Sequence, residues 1–126
     1  MSAGLTFDAG GLIAFERNDR RVIVLLARAA EAGATVTIPA TALAQVLRVP
    51  ARQDRLMRLL RQPTTLTVPL DRASASFVGQ LLGATGTTDL ADAHVIVCAR
   101  RSRSVVVTSD AGDLHRLDPT IDLLEV

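Results

Sequence analysis

The chain contains no lysine, no tryptophan and no tyrosine, and its single cysteine is Cys98. Each absence removes a class of protein. Phosphorylated receiver domains and haloacid-dehalogenase-type phosphatases also place aspartates at strand ends, but both use a lysine that this chain lacks. "DAGG" at 8–11 is no phosphate-cradling P-loop, because no Gly-Lys-Ser/Thr follows it. Three phenylalanines are the whole aromatic content, so a base-stacking platform of the single-strand-binding type is excluded. One cysteine permits no intramolecular disulfide and suits a reducing cytosol, and its apolar setting marks it as core packing. No apolar run approaches the roughly 18 residues of a membrane span. The opening "MSAGLTFDAGGLIAFER" lacks the basic start of a signal peptide and meets Asp8 early. The expectation is a soluble, cytoplasmic protein.

What is present suits one domain spanning 1–126, since 126 residues at 48% hydrophobic content can bury a single core. Fourteen arginines nearly balance 13 acids, for a formal charge of +1, so function depends on where charge sits. Three β-branched runs, 4–8, 34–39 and 104–110, are apolar enough to be strands buried on both faces of a parallel sheet. "TLTVPL" (65–70) and "IDLLEV" (121–126) supply candidate edges. Helical spacing occupies 12–18, 20–32, 40–48, 51–61, 72–83 and 88–101. Pro50 separates two of these segments, and "ATGTTD" (84–89) reads as a loop ending in a helix start. The alternation predicts an α/β layer sandwich around a parallel sheet.

The carboxylates carry the chemistry. Asp8 ends the first strand run and Asp110 ends "SVVVTSD", which puts both at the carboxyl edge of the sheet, where open α/β folds bind ligands. Asp89 and Asp92 share one face of a helix start. Taken singly, Asp89 is explained by the helix macrodipole and Asp110 by capping the helix that follows, while Asp113 reads as a first-turn acid or salt-bridge partner. Taken together, acids gathered without lysine repel one another and raise their own pKa values. A divalent cation removes that penalty. Oxygen donors suit Mg²⁺ or Mn²⁺, and such a metal activates water and neutralises charge on a phosphodiester, so the expected chemistry is phosphodiester hydrolysis.

Other candidates are weaker. His94 and His115 lack the spacing of a zinc site and read as structural or surface residues. Arg48, Arg52, Arg55, Arg58 and Arg61 form a basic stretch opposed only by Asp54. Arg55, Arg58 and Arg61 recur on one side of a helix, with Leu56, Leu59 and Leu60 on the other. That pattern is either a solvated face or a phosphate contact.

"TFDAGGLIAFER", "IPATALAQVLR", "TTDLADAHVIVCAR" and "VVVTSDAGDL", in this order and spacing, resemble the PIN-domain ribonucleases, and within them the VapC toxins of toxin–antitoxin pairs. The resemblance implies a three-layer sandwich with a central parallel sheet of strand order 3-2-1-4-5. It also implies an acidic Mg²⁺ or Mn²⁺ pocket, RNA endonuclease activity, and homodimers neutralised by a small VapB-like antitoxin. By position, Asp8, Asp92 and Asp110 look like the metal-holding acids, with Asp89 completing the catalytic set. Where the family often has a glutamate, this chain has Gln45, which brings no charge. Glu16 is a candidate to compensate but reads as a surface or supporting acid. Arg55 and Arg58 are the candidate RNA contacts. The competing expectation is a PIN-like binding module, weakened at Gln45 and acting through its antitoxin or dimer partner. DNA as a substrate leaves no separate signature.

Overall fold

In the computed structural model, which describes residues 4–126, short β-branched segments pair into one five-stranded sheet, all parallel, in the order β3-β2-β1-β4-β5. The strands are β1 (Leu5–Phe7), β2 (Val36–Pro39), β3 (Thr65–Val68), β4 (Val105–Thr108) and β5 (Leu123–Glu125). The helices are α1 (Ala9–Glu16), α2 (Arg20–Ala32), α3 (Ala40–Val46), α4 (Asp54–Leu60), α5 (Arg72–Thr85), α6 (Leu90–Ser102) and α7 (Ala111–Leu117). The three-layer sandwich and strand order expected from the resemblance are the ones observed.

Side-chain alternation along the strands divides the interior into two cores. Phe7, Ile38 and Val107 point to one face, where Leu12, Val22 and Leu56 of α1, α2 and α4 cover them. Val106 points to the other face and meets Val78, Ile96 and Leu114 of α5, α6 and α7. Burial on both faces is why the central strands read as continuous apolar runs. In α6, Ala91 and Ala93–Ala99 are all buried, which suits a helix wedged between α5, α7 and the sheet. No helix among the described residues is long and apolar enough to cross a membrane.

Three of the departures from the sequence expectation have a local reason. Helix α1 starts at Ala9 rather than at 12, because Asp8 caps it and the glycine pair, Gly10 and Gly11, is tolerated inside its first turn. That pair is needed there: a β-carbon on Gly11 would collide with the Val107 carbonyl oxygen, and one on Gly10 with the Ser109 hydroxyl. The segment 51–61 divides into a 3₁₀ turn, Pro50–Arg52, and α4, interrupted at Gln53. The Gln53 amide accepts from the backbone N–H of Arg48 (2.8 Å) and Val49 (3.0 Å) and donates to Glu16 and to the Val46 carbonyl. Helix α7 was visible in the sequence only as something for Asp110 to cap, since seven residues are too few to display a period.

Candidate active site

The carboxyl edge of β1 and β4 gathers the acids. Asp8 directly follows β1, and Asp110 lies two residues beyond β4. Asp89 and Asp92 come from the start of α6, which packs beside both strands. Three of the four act as helix caps, the role expected from the sequence for Asp110. Asp8 accepts from Gly11 N–H at 2.7 Å, Asp89 from Asp92 N–H at 2.9 Å, and Asp110 from Asp113 N–H at 3.5 Å. A cap contributes about 1 kcal/mol and uses one carboxylate oxygen, leaving the other for different work.

Asp8 is the most constrained. It is 5% exposed, and its second oxygen accepts a short hydrogen bond from the Thr108 hydroxyl. That hydroxyl in turn accepts from Asp110 N–H at 2.9 Å, so Thr108 ties the first-strand acid to the loop carrying the fourth-strand acid. Burial pushes the Asp8 pKa up, its bonds to Thr108 and Gly11 pull it down, and the neighbouring Asp110 charge pushes it up again. Sequence reasoning missed Thr108. Its only sequence signal is a hydroxyl two residues before Asp110, and its partner lies 100 residues away.

Asp92 is partly buried and, unlike the caps, its carboxylate accepts no backbone N–H among the described residues, its hydrogen-bonding neighbour being the Asp89 carboxylate. Burial and then the charges of Asp89, Asp8 and Asp113 push its pKa up to about 7. The acids therefore feel one another as a group. Asp113 belongs to that group as well as to its expected ion pair with Arg116 (3.1 Å), because Asp110 and Asp89 both raise its pKa.

Among the described residues, no three Asp, Glu, His or Cys side chains stand close enough together to enclose a metal ion. The donor set nevertheless fits Mg²⁺ or Mn²⁺, which take hard oxygen ligands and need only one or two carboxylates while keeping several waters. Asp92 feels the charge of Asp8, and Asp8 in turn that of Asp110, so these carboxylates repel one another along the edge where such an ion would sit.

None of the remaining candidates hydrogen-bonds or pairs with these four acids among the described residues. Gln45 is exposed on α3. Glu16 is committed to Gln53, whose amide donates to both its oxygens at 3.0 and 3.1 Å. Arg55 and Arg58 are exposed on α4 while Leu56 and Leu59 face the core, as the spacing predicts. Cys98 is buried, and burial pushes its thiol to about 11, consistent with inert packing. His115 is exposed and His94 is fully buried.

No family model matches the sequence, and no curated protein matches it. Solved structures match over nearly the whole length. The chain is similar to one in DNA-bound VapBC from Salmonella typhimurium, with a TM-score of 0.72 and 16% identity over 98% of each chain. It is similar to one in VapBC2 from Rickettsia felis bound to a DNA fragment from their promoter, with a TM-score of 0.69 and 14% identity over 97% of this chain and 98% of that one. FitAcB from Neisseria gonorrhoeae gives 0.62 and 20% over 96% of each. At these identities the likeness is one of fold: the chain has the PIN-like architecture found in VapBC and FitAcB structures.

Proposed function

We propose that the chain is a metal-dependent RNA endonuclease, the toxin of a toxin–antitoxin pair. The observation that supports this reading is the convergence of Asp8, Asp89, Asp92 and Asp110 in one electrostatic field at the carboxyl edge, centred on the half-buried carboxylate of Asp92. Asp8, Asp92 and Asp110 would hold Mg²⁺ or Mn²⁺, which supplies water activation and neutralises charge developing on the scissile phosphate. The chain's own residues prepare the site. Thr108 and Gly11 fix the Asp8 carboxylate, Asp89 adds negative charge beside Asp92, and the exposed Asp89 and Asp110 leave the pocket open to a long polymer. A small antitoxin and a second copy of the chain are the proposed protein partners, in keeping with the VapBC and FitAcB complexes that share the fold.

The test is cleavage of a structured RNA by purified, antitoxin-free chain. Cutting is expected with Mg²⁺ or Mn²⁺, lost in EDTA and regained on adding Mn²⁺, with duplex DNA left intact. Silence on several RNAs from folded, metal-saturated protein would overturn the proposal. It would favour the binding-module reading, which the exposed, uncharged Gln45 supports.

Arg55 and Arg58 are proposed to touch the RNA backbone, since neither forms an ion pair among the described residues. Replacing Arg58 by Ala should lower the slope of log affinity against log salt by about one unit, equally for all RNA sequences. An unchanged slope would remove Arg58 from the RNA path.

A further inference from the structure

Helix α3 has little of its own to hold it. It is seven residues long, its N-cap position is Pro39, and no side chain caps it. Yet it borders both α1 and α6, the two helices whose first turns meet the acids. The link to α6 is polar: the Thr41 hydroxyl lies 2.7 Å from His94 Nδ1, the only side-chain hydrogen bond between α3 and α6 among the described residues.

The histidine is an expensive way to fill this space. His94 is 0% exposed, the one buried polar side chain in the apolar body of α6. Its Nε2 is buried without a hydrogen bond of full geometry, and the Pro69 backbone acts on the ring only as a partial acceptor. A buried nitrogen that is only partly satisfied carries a desolvation cost that leucine at the same place would avoid. Core packing therefore does not account for a histidine here, whereas the bond to Thr41 does. The bond joins the two helices that carry candidate residues: His94 is two residues beyond Asp92 on α6, and Thr41 is one helical turn before Gln45 on α3.

Resting on the function proposed above, we infer that His94 and Thr41 are positioning residues for the metal pocket. Their bond holds the first turn of α3 against the second turn of α6 and so fixes α3 relative to the helix that carries Asp92. Neither residue touches the metal or the substrate in this role.

The isosteric pair Thr41→Val and Thr41→Ser tests it. Mn²⁺ affinity is measured by titration calorimetry, RNA cleavage as separate kcat and KM, and thermal midpoints as the control for folding. Thr41→Val is expected to weaken Mn²⁺ binding and lower kcat by about tenfold, the scale seen when groups that orient ligands are removed, with KM for RNA unchanged. Thr41→Ser, which keeps the hydroxyl, should restore both toward the starting values. A folded Thr41→Val that binds Mn²⁺ and cuts RNA as the parent does would overturn the inference and leave the nuclease reading intact. Should Thr41→Val lose its fold, His94→Leu carries the same two outcomes, and failure of both to fold would assign the bond to stability alone. If the parent chain neither binds Mn²⁺ nor cuts RNA, the inference falls together with the function on which it rests.

Discussion

Asp92→Asn is expected to abolish cleavage while making the metal-free protein more stable at neutral pH. Loss of the central carboxylate removes charge that a divalent cation needs, and the several kcal/mol of transition-state stabilisation such a metal supplies correspond to about a thousandfold in rate. The stability effect has the opposite sign. In the folded chain Asp92 keeps its proton until about pH 7, pushed up from 3.8 by burial and by Asp89, Asp8 and Asp113. The unfolded chain releases that proton near pH 4, so the native state binds more protons between the two values. Stability therefore falls as pH rises through this window and levels off above it. At full weight the shift is worth about 4 kcal/mol, and about 2 kcal/mol for a group half in solvent. Asp8, raised in the same direction, adds to the fall. Urea unfolding in EDTA from pH 4 to 8 should show a decline in the parent that is much shallower in Asp92→Asn. Added Mn²⁺ should rescue the parent alone. Parallel pH profiles would mean that Asp92 is not held in a repulsive field.

Gly11→Ala is expected to be the most damaging single methyl group on the site side of the molecule. The added carbon would meet the backbone carbonyl of Val107, which is fixed in the sheet, and would come within 3.2 Å of the Phe7 ring. Neither neighbour is a flexible side-chain end. Overpacking of a tight core costs about 1–3 kcal/mol, and a backbone collision belongs at or beyond the upper end of that range. Because Gly11 N–H also holds Asp8, any displacement of α1 moves the carboxylate with it. The expected result is a loss of about 3 kcal/mol in denaturant unfolding, accompanied by weaker Mn²⁺ binding. A variant of unchanged stability would mean that α1 can shift away from β4 without consequence.

Much of the architecture was legible in the chain because burial on both faces writes itself as uninterrupted β-branched runs. The runs at 4–8, 34–39 and 104–110 each contain a strand, and α2 matches its expected limits of 20–32. Legibility failed where a boundary was set by a distant partner. Gln53 interrupts a helical pattern because Glu16 and the α3 carbonyl at Val46 claim its amide. Helix α1 gains its first turn because β4 leaves room for Gly10 and Gly11 and for nothing larger.

The site divides in the same way. Sequence alone determined which acids stand at strand ends and helix starts, since a residue that closes a parallel strand must emerge at the carboxyl edge. It also determined that no lysine is available to neutralise them. Only the tertiary structure decided that Thr108 binds Asp8, that Asp113 joins the field around Asp92, that Glu16 is occupied elsewhere, and that His94 spans to Thr41. The physical reason is one of range. Strand and helix periodicity are local properties that a chain carries in its order, whereas a hydrogen bond or a shared electrostatic field depends on strand register and helix packing, which exist only once the chain has folded.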